Sequence, residues 1–139
     1  MPLLANDTDG ALTRKRIETW AAKMEKVTVV AADAATVQVA ATLAGAQQTV
    51  YTMTPTASRT LTTPTGAELG AAFTDEGVGS SFEFTVVNVA AATHPIVVTA
   101  GASGVTLVGV AATFSVAAAS SASYVAVFTA ANTVSIYRK

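Results

Sequence analysis

Apolar and polar positions alternate most clearly over residues 79–89, Gly-Ser-Ser-Phe-Glu-Phe-Thr-Val-Val-Asn-Val. Successive side chains of a strand point to opposite faces, so Phe82, Phe84 and Val86 share one side and Glu83, Thr85 and Val87 the other. Two of the five phenylalanines stand on the first side, which makes it the predicted anchor of the core. Similar runs at Val27–Val30, Thr36–Leu43, Gln47–Met53, Arg59–Thr62, Pro95–Thr99, Val105–Val108, Ala112–Val116, Tyr124–Thr129 and Thr133–Arg138 predict further strands. Turn residues separate them, among them Gly45, Pro55, Asp75-Glu76-Gly77, Gly101, Gly104 and Asn132. Short strands punctuated in this way indicate a β-sandwich or barrel. No repeat of the solenoid kind is visible in the residues.

Two stretches follow a helical period instead. In residues 11–26, Leu12, Ile17, Trp20, Ala21 and Met24 recur on one side while Arg14, Lys15, Glu18, Lys23 and Glu25 fill the other. This seam is too short for an autonomous coiled coil and needs a surface, its own domain's or a neighbour's. The second is marked by Thr65-Gly66-Ala67-Glu68, a capping-box pattern, with Leu69, Ala72 and Phe73 on the buried side of about two turns. Ahead of both, Met1–Gly10 reads as an extended arm whose Leu3-Leu4 pair either docks onto something or belongs to a frayed end. The predicted fold is therefore mainly β: an antiparallel β-sandwich or jelly-roll-like barrel with an N-terminal arm and helix (residues 1–26) and one short internal helix in the β domain (residues 27–139).

Composition sharpens this picture. Alanine, threonine and valine supply 30, 22 and 19 of the 139 residues, a mix that favours strands and turns over long helices. Charged side chains make up only 12%, half the roughly 25% of an ordinary soluble domain. A lone monomer with so little charge would expose apolar patches and sheet edges, so the surface is expected to be covered by further copies or a partner. Nine of the 17 charged residues fall within the first 26 positions. From Val27 to Tyr137 there are only Asp33, Arg59, Glu68, Asp75, Glu76 and Glu83, which leaves no basic face for nucleic acid. No apolar run approaches the ~20 residues that span a bilayer as a helix. Leu3-Leu4 is too short for a secretory core, so cytosolic manufacture is expected.

No constellation of catalytic residues is evident. His94, the one histidine, precedes Pro95 in a turn and has no evident partner to orient it; there is no cysteine. Asp7-Thr8-Asp9-Gly10 matches the middle of a calcium loop, but the first and last ligand positions fall on Ala5 and Arg16, so a turn opening a helix explains it better. Phosphate loops, nucleophile elbows and dinucleotide fingerprints are missing. The expectation is a protein without enzymatic activity, cofactor, metal or small-molecule substrate. Arg14-Lys15-Arg16 is either the solvated side of the helix or an acid-seeking contact on a neighbouring subunit.

Several pieces in order carry a likeness: Thr60-Leu61-Thr62 with Pro64-Thr65-Gly66-Ala67-Glu68-Leu69, residues 79–88, His94 to Gly101, Gly104 to Gly109, and Val134 to Arg138. Over residues 59–139 the chain resembles a small β domain of tailed-bacteriophage virion proteins. The resemblance implies a structural virion protein, a capsid decoration (cement) protein often found as a homotrimer. Such a protein is made in the host cytoplasm and binds across major capsid protein subunits on the outer surface of the capsid. It carries over no catalytic residues. Attachment is then expected through residues 1–26, with Leu3, Leu4 and Trp20 as apolar anchors and Arg14 and Arg16 as polar contacts. Two other classes stay open: a tail fibre or spike segment, and a surface adhesion module, either of which would bind glycans.

Overall fold

The computed structural model describes residues 26–74 and 77–139. The expected arm and first helix, with Leu3, Leu4, Arg14, Arg16 and Trp20, lie outside the described residues, apart from Lys26; so do Asp75 and Glu76. The described elements are β1 (Val27–Ala32), β2 (Thr36–Val37), α1 (Ala40–Ala44), β3 (Gln48–Met53), β4 (Arg59–Thr62), α2 (Gly66–Ala72), β5 (Ser81–Asn88), β6 (Ile96–Thr99), β7 (Val105–Val108), β8 (Ser115–Val116), β9 (Ser120–Ala130) and β10 (Thr133–Arg138). The protein is mainly β and sandwich-like, as the alternation predicts.

The strands do not form a purely antiparallel sandwich. From β1 to β6 the chain passes alternately into one sheet and then the other, so that β1, β3 and β5 pair in parallel, and β2, β4 and β6 do likewise. Antiparallel pairing enters only with β5–β9, β9–β10 and β6–β8, while β7 returns to pair in parallel with β10. The result is a six-stranded sheet, β1-β3-β5-β9-β10-β7, and a four-stranded sheet, β2-β4-β6-β8. Residues 27–53 thus contribute to the same two sheets as the rest. This winding is invisible as a sequence repeat because its turns differ in length: Val27 aligns with Gln48, but Gln48 aligns with Glu83.

Among the described residues two α-helices are present where one internal helix is expected. The stretch Thr36–Leu43 gives up its strand after two residues, and Ala40-Ala41-Thr42-Leu43-Ala44 coils into α1 with Leu43 buried. Alanine is the strongest helix former, and that composition overrides a strand pattern carried only by Val37 and Val39, both of which end up exposed. Helix α2 starts as the capping box requires. Thr65 Oγ1 accepts from the Glu68 amide, and the Thr65 amide donates to Glu68 Oε2 at 2.8 Å. The Thr65 amide and the Thr65 hydroxyl, both donating to the Glu68 carboxylate, hold it below its ordinary value.

The core lies between the sheets. Phe82, Phe84 and Val86 are buried, with Tyr51, Met53, Leu61, Leu69, Ile96, Val98, Val116, Tyr124 and Ile136. The aromatic rings pack in two groups, Phe73 with Phe82 and Phe128, and Tyr51 with Phe84, Tyr124 and Phe114. Phe73 stacks on Phe82 at 4.8 Å, Phe84 on Tyr124 at 5.1 Å, and Tyr124 on Phe114 at 5.6 Å. Such pairs add about 0.5–1.5 kcal/mol each beyond area burial.

Asn88, at the end of β5, ties the layers together. Its amide donates to the carbonyls of His94 (2.8 Å) and Val116 (3.1 Å), and its Oδ1 accepts from the Ala90 amide at 3.1 Å. A second joint forms where α2 meets the β9–β10 turn. Asn132 holds a left-handed backbone (φ 59), and a Cβ on Gly66 or Gly104 would collide with its backbone carbonyl. Backbone packed this closely accepts only glycine.

Candidate interaction surface

Every strand of the larger sheet alternates in burial, so one face turns to the core and the other away from it. Registers show what lines the outer face. One row crosses all six strands: Val27, Gln48, Glu83, Val125, Tyr137 and Val108. Beside it runs Val29, Val50, Thr85 and Ser123. On the other flank Ser81, Val127, Ser135 and Thr106 align. Val27 and Val29 on the β1 edge are 54% and 65% exposed, and Val108 and Tyr137 at the far side 40% each. Strand sequences rich in valine produce this face because β-branched side chains suit both sides of a pleated sheet.

Some polar groups near the centre of the face pair with one another. Gln48 Nε2 donates to Thr85 Oγ1 at 2.8 Å, and Thr85 and Ser123 share a hydroxyl bond of 2.8 Å. Lys139 Nζ reaches Glu83 Oε1 at 2.8 Å, so the charges across the centre cancel. A partner covering these groups would not strand them without hydrogen bonds, and burying satisfied polar groups costs far less than burying orphaned ones.

Elsewhere the titratable groups serve structure. His94 contributes its backbone: its amide donates to the Ala92 carbonyl and its own carbonyl accepts from Asn88. Among the described residues no group of three or more His, Cys, Asp or Glu lies together. No described helix is long and apolar enough to cross a membrane. Gln38, Thr49, Tyr51 and Tyr124 are buried with side-chain polar atoms that find no hydrogen-bond partner among the described residues. Desolvation raises the Tyr51 phenol to about 12 and moves Tyr124 in the same direction.

The interface residues expected from sequence, Leu3, Leu4, Arg14, Arg16 and Trp20, all belong to the segment outside the described residues. The valine face escapes a linear reading, because only strand register brings Val27 of β1 into one row with Val108 of β7. The available signal was indirect, namely too few charges for the area of β-sheet. What the fold and this face define is a β-sandwich-like domain whose larger sheet has a broad, nearly uncharged outer face. Comparison of the chain with protein-family models, curated proteins and solved structures finds no match.

Proposed function

We propose that this chain is a structural virion protein, a decoration or cement protein that binds across major capsid protein subunits on the outside of a tailed-phage head. It works as a homotrimer by contact alone. The observation that carries this reading is the outer face of the six-stranded sheet, valine-rich and with the charges of Glu83 and Lys139 paired to each other. Stable protein contacts of standard size remove about 800 Å² per partner and combine an apolar centre with satisfied polar groups. A shell under pressure from packed DNA gains from such clamps without any chemistry. In this reading Leu3 and Leu4 supply anchors on the capsid.

The glycan-binding alternatives, tail fibre or adhesion module, would need exposed aromatic platforms. Tyr51 and Tyr124 are core residues, and Tyr137 is the one exposed aromatic among the described residues, which weighs against them. Mass spectrometry of separated heads and tails from the phage carrying this sequence tests the proposal. The chain should appear in heads at a copy number comparable to the major capsid protein, and heads lacking it should rupture at lower temperature. Recovery only in tails, or on a cell surface, overturns it.

A further inference from the structure

Polar side chains gather at one level of the sandwich interior. On the inner side of the larger sheet Thr28 and Thr49 are register partners in β1 and β3. On the smaller sheet Gln38 prolongs β2: its amide donates to the Thr62 carbonyl at 2.8 Å, which sets it beside Thr63. Thr49 stands four residues before Met53, where β3 ends, and Thr63 four residues after Arg59, where β4 begins. One turn joins these two strands, so both rows lie at the same depth from it. Gln38 and Thr63 are each 2% exposed, and Thr49 is wholly buried. Thr63 Oγ1 accepts from the Gly101 amide at 2.8 Å, but Gln38 Oε1, Gln38 Nε2 and Thr49 Oγ1 find no hydrogen-bond partner among the described residues. We propose that an ordered water site lies between Gln38, Thr49 and Thr63 and ties the two sheets together there, as Asn88 ties them directly at the turn end.

Burying a carboxamide and a hydroxyl without hydrogen bonds opposes folding, and nearly all such groups in proteins are paired with protein or with bound water. A buried water makes about two to four hydrogen bonds. The Gln38 carboxamide offers donor and acceptor together, and the hydroxyls of Thr49 and Thr63 can each do either. All three side chains are neutral, so the ligand is neutral too; an ion would be buried without a countercharge. Orphan hydroxyls alone do not make such a site. Tyr51 and Tyr124 also lack partners among the described residues, but their rings pack against Phe84 and Phe114, between apolar walls. Gln38 and Thr49 differ because register brings polar positions of both sheets to one level. The bridge has a task there. The ladder of β2 with β4 covers only Thr36 and Val37, so this edge strand is weakly held by its own pairing. A water-mediated link is nearly as favourable as a direct one, and from Gln38 it fastens the end of β2 across the interior to β3.

Nuclear magnetic resonance of the full-length chain tests the site on the wild type. Cross-relaxation with a long-lived water should appear at the Gln38 side-chain amide and at the Thr49 methyl. Thr49→Ser, which keeps the hydroxyl, should retain the signal at Gln38, and Thr49→Val, which replaces the hydroxyl by a methyl of similar size, should abolish it. In thermal unfolding Thr49→Val and Gln38→Leu should each lower Tm, and the double variant should lose less than the two losses added, since both remove one bridge. No water signal at Gln38 in the wild type overturns the proposal, including the case in which Gln38 and Thr49 bond to each other directly. So does a Thr49→Val protein with a raised Tm, the result expected of a dry orphan hydroxyl, or strictly additive losses. Should Gln38→Leu fail to fold, the wild-type and Thr49 spectra still decide. The site stands apart from the virion reading, and neither outcome alters that proposal.

Discussion

Replacing Asn88 by alanine probes the joint between the layers. Asn88 is 1% exposed and makes three hydrogen bonds, two of them, to the Val116 carbonyl and from the Ala90 amide, fully buried. The third, to the His94 carbonyl, is partly buried, and water can replace it there. Alanine leaves the two buried backbone groups unsatisfied at about 1–3 kcal/mol each, so the loss should be roughly 2–5 kcal/mol. That is a large part of the 5–15 kcal/mol by which a domain is usually stable. Asn88→Asp keeps an acceptor for Ala90 but sets a carboxylate against two carbonyl oxygens. Burial raises such a group's folded pKa, so the unfolded state releases its proton first as pH rises; the penalty is greatest at neutral pH and shrinks in acid. Urea unfolding followed by far-ultraviolet circular dichroism measures both variants. An Asn88→Ala midpoint within the error of wild type, with the same m value, would show that these bonds contribute little and that the layers are held by apolar packing alone.

Gly66→Ala should cost about 2–3 kcal/mol, since its Cβ meets the Asn132 backbone carbonyl rather than a movable side chain; thermal unfolding reads this, and an unchanged Tm counts against the close contact. Thr65→Ala should lower stability by about 1 kcal/mol through loss of the cap, measurable in the same assay. In alkali the unfolded phenol of Tyr51 ionises near the ordinary 10.0 but the folded one only at about 12, so stability should fall as pH rises through that window. Phenolate absorbance should then appear together with loss of circular dichroism, and Tyr51→Phe should reduce the alkaline loss without a cost at neutral pH, because it removes a hydroxyl that has no partner among the described residues.

Alternation made the strands of this chain legible, and Phe82 and Phe84 named the core correctly because period-two patterns survive in half-buried sheets. Thr65 and Glu68 announced α2 because a cap is a local interaction between residues three apart. Strand direction was not legible. Whether Val50 lies beside Val29 in parallel or antiparallel register depends on where the chain crosses between layers, and connections of unequal length hide that. Helix α1 was missed because Val37 and Val39 imitate a strand, while Ala40–Ala44 has only one side chain, that of Leu43, fully buried. Asn88 stood inside the strand pattern of residues 79–89 with no sign of a joint, since its three bonding partners are brought near only by the folded turn and by β8. The contact face was inferable as a shortage of charge but could not be mapped, because its rows run across the strands.

The winding also fixes the order in which this molecule can be completed. β7 is synthesised before β9 and β10, yet its only neighbour in the sheet is β10, and β5 cannot gain its second neighbour until β9 exists. A nascent chain therefore carries open sheet edges on the ribosome until nearly all of it has emerged. Pairings this remote along the chain close slowly. Production of the protein should accordingly be limited by aggregation of unfinished chains, and slower translation or cooler growth should raise the soluble yield.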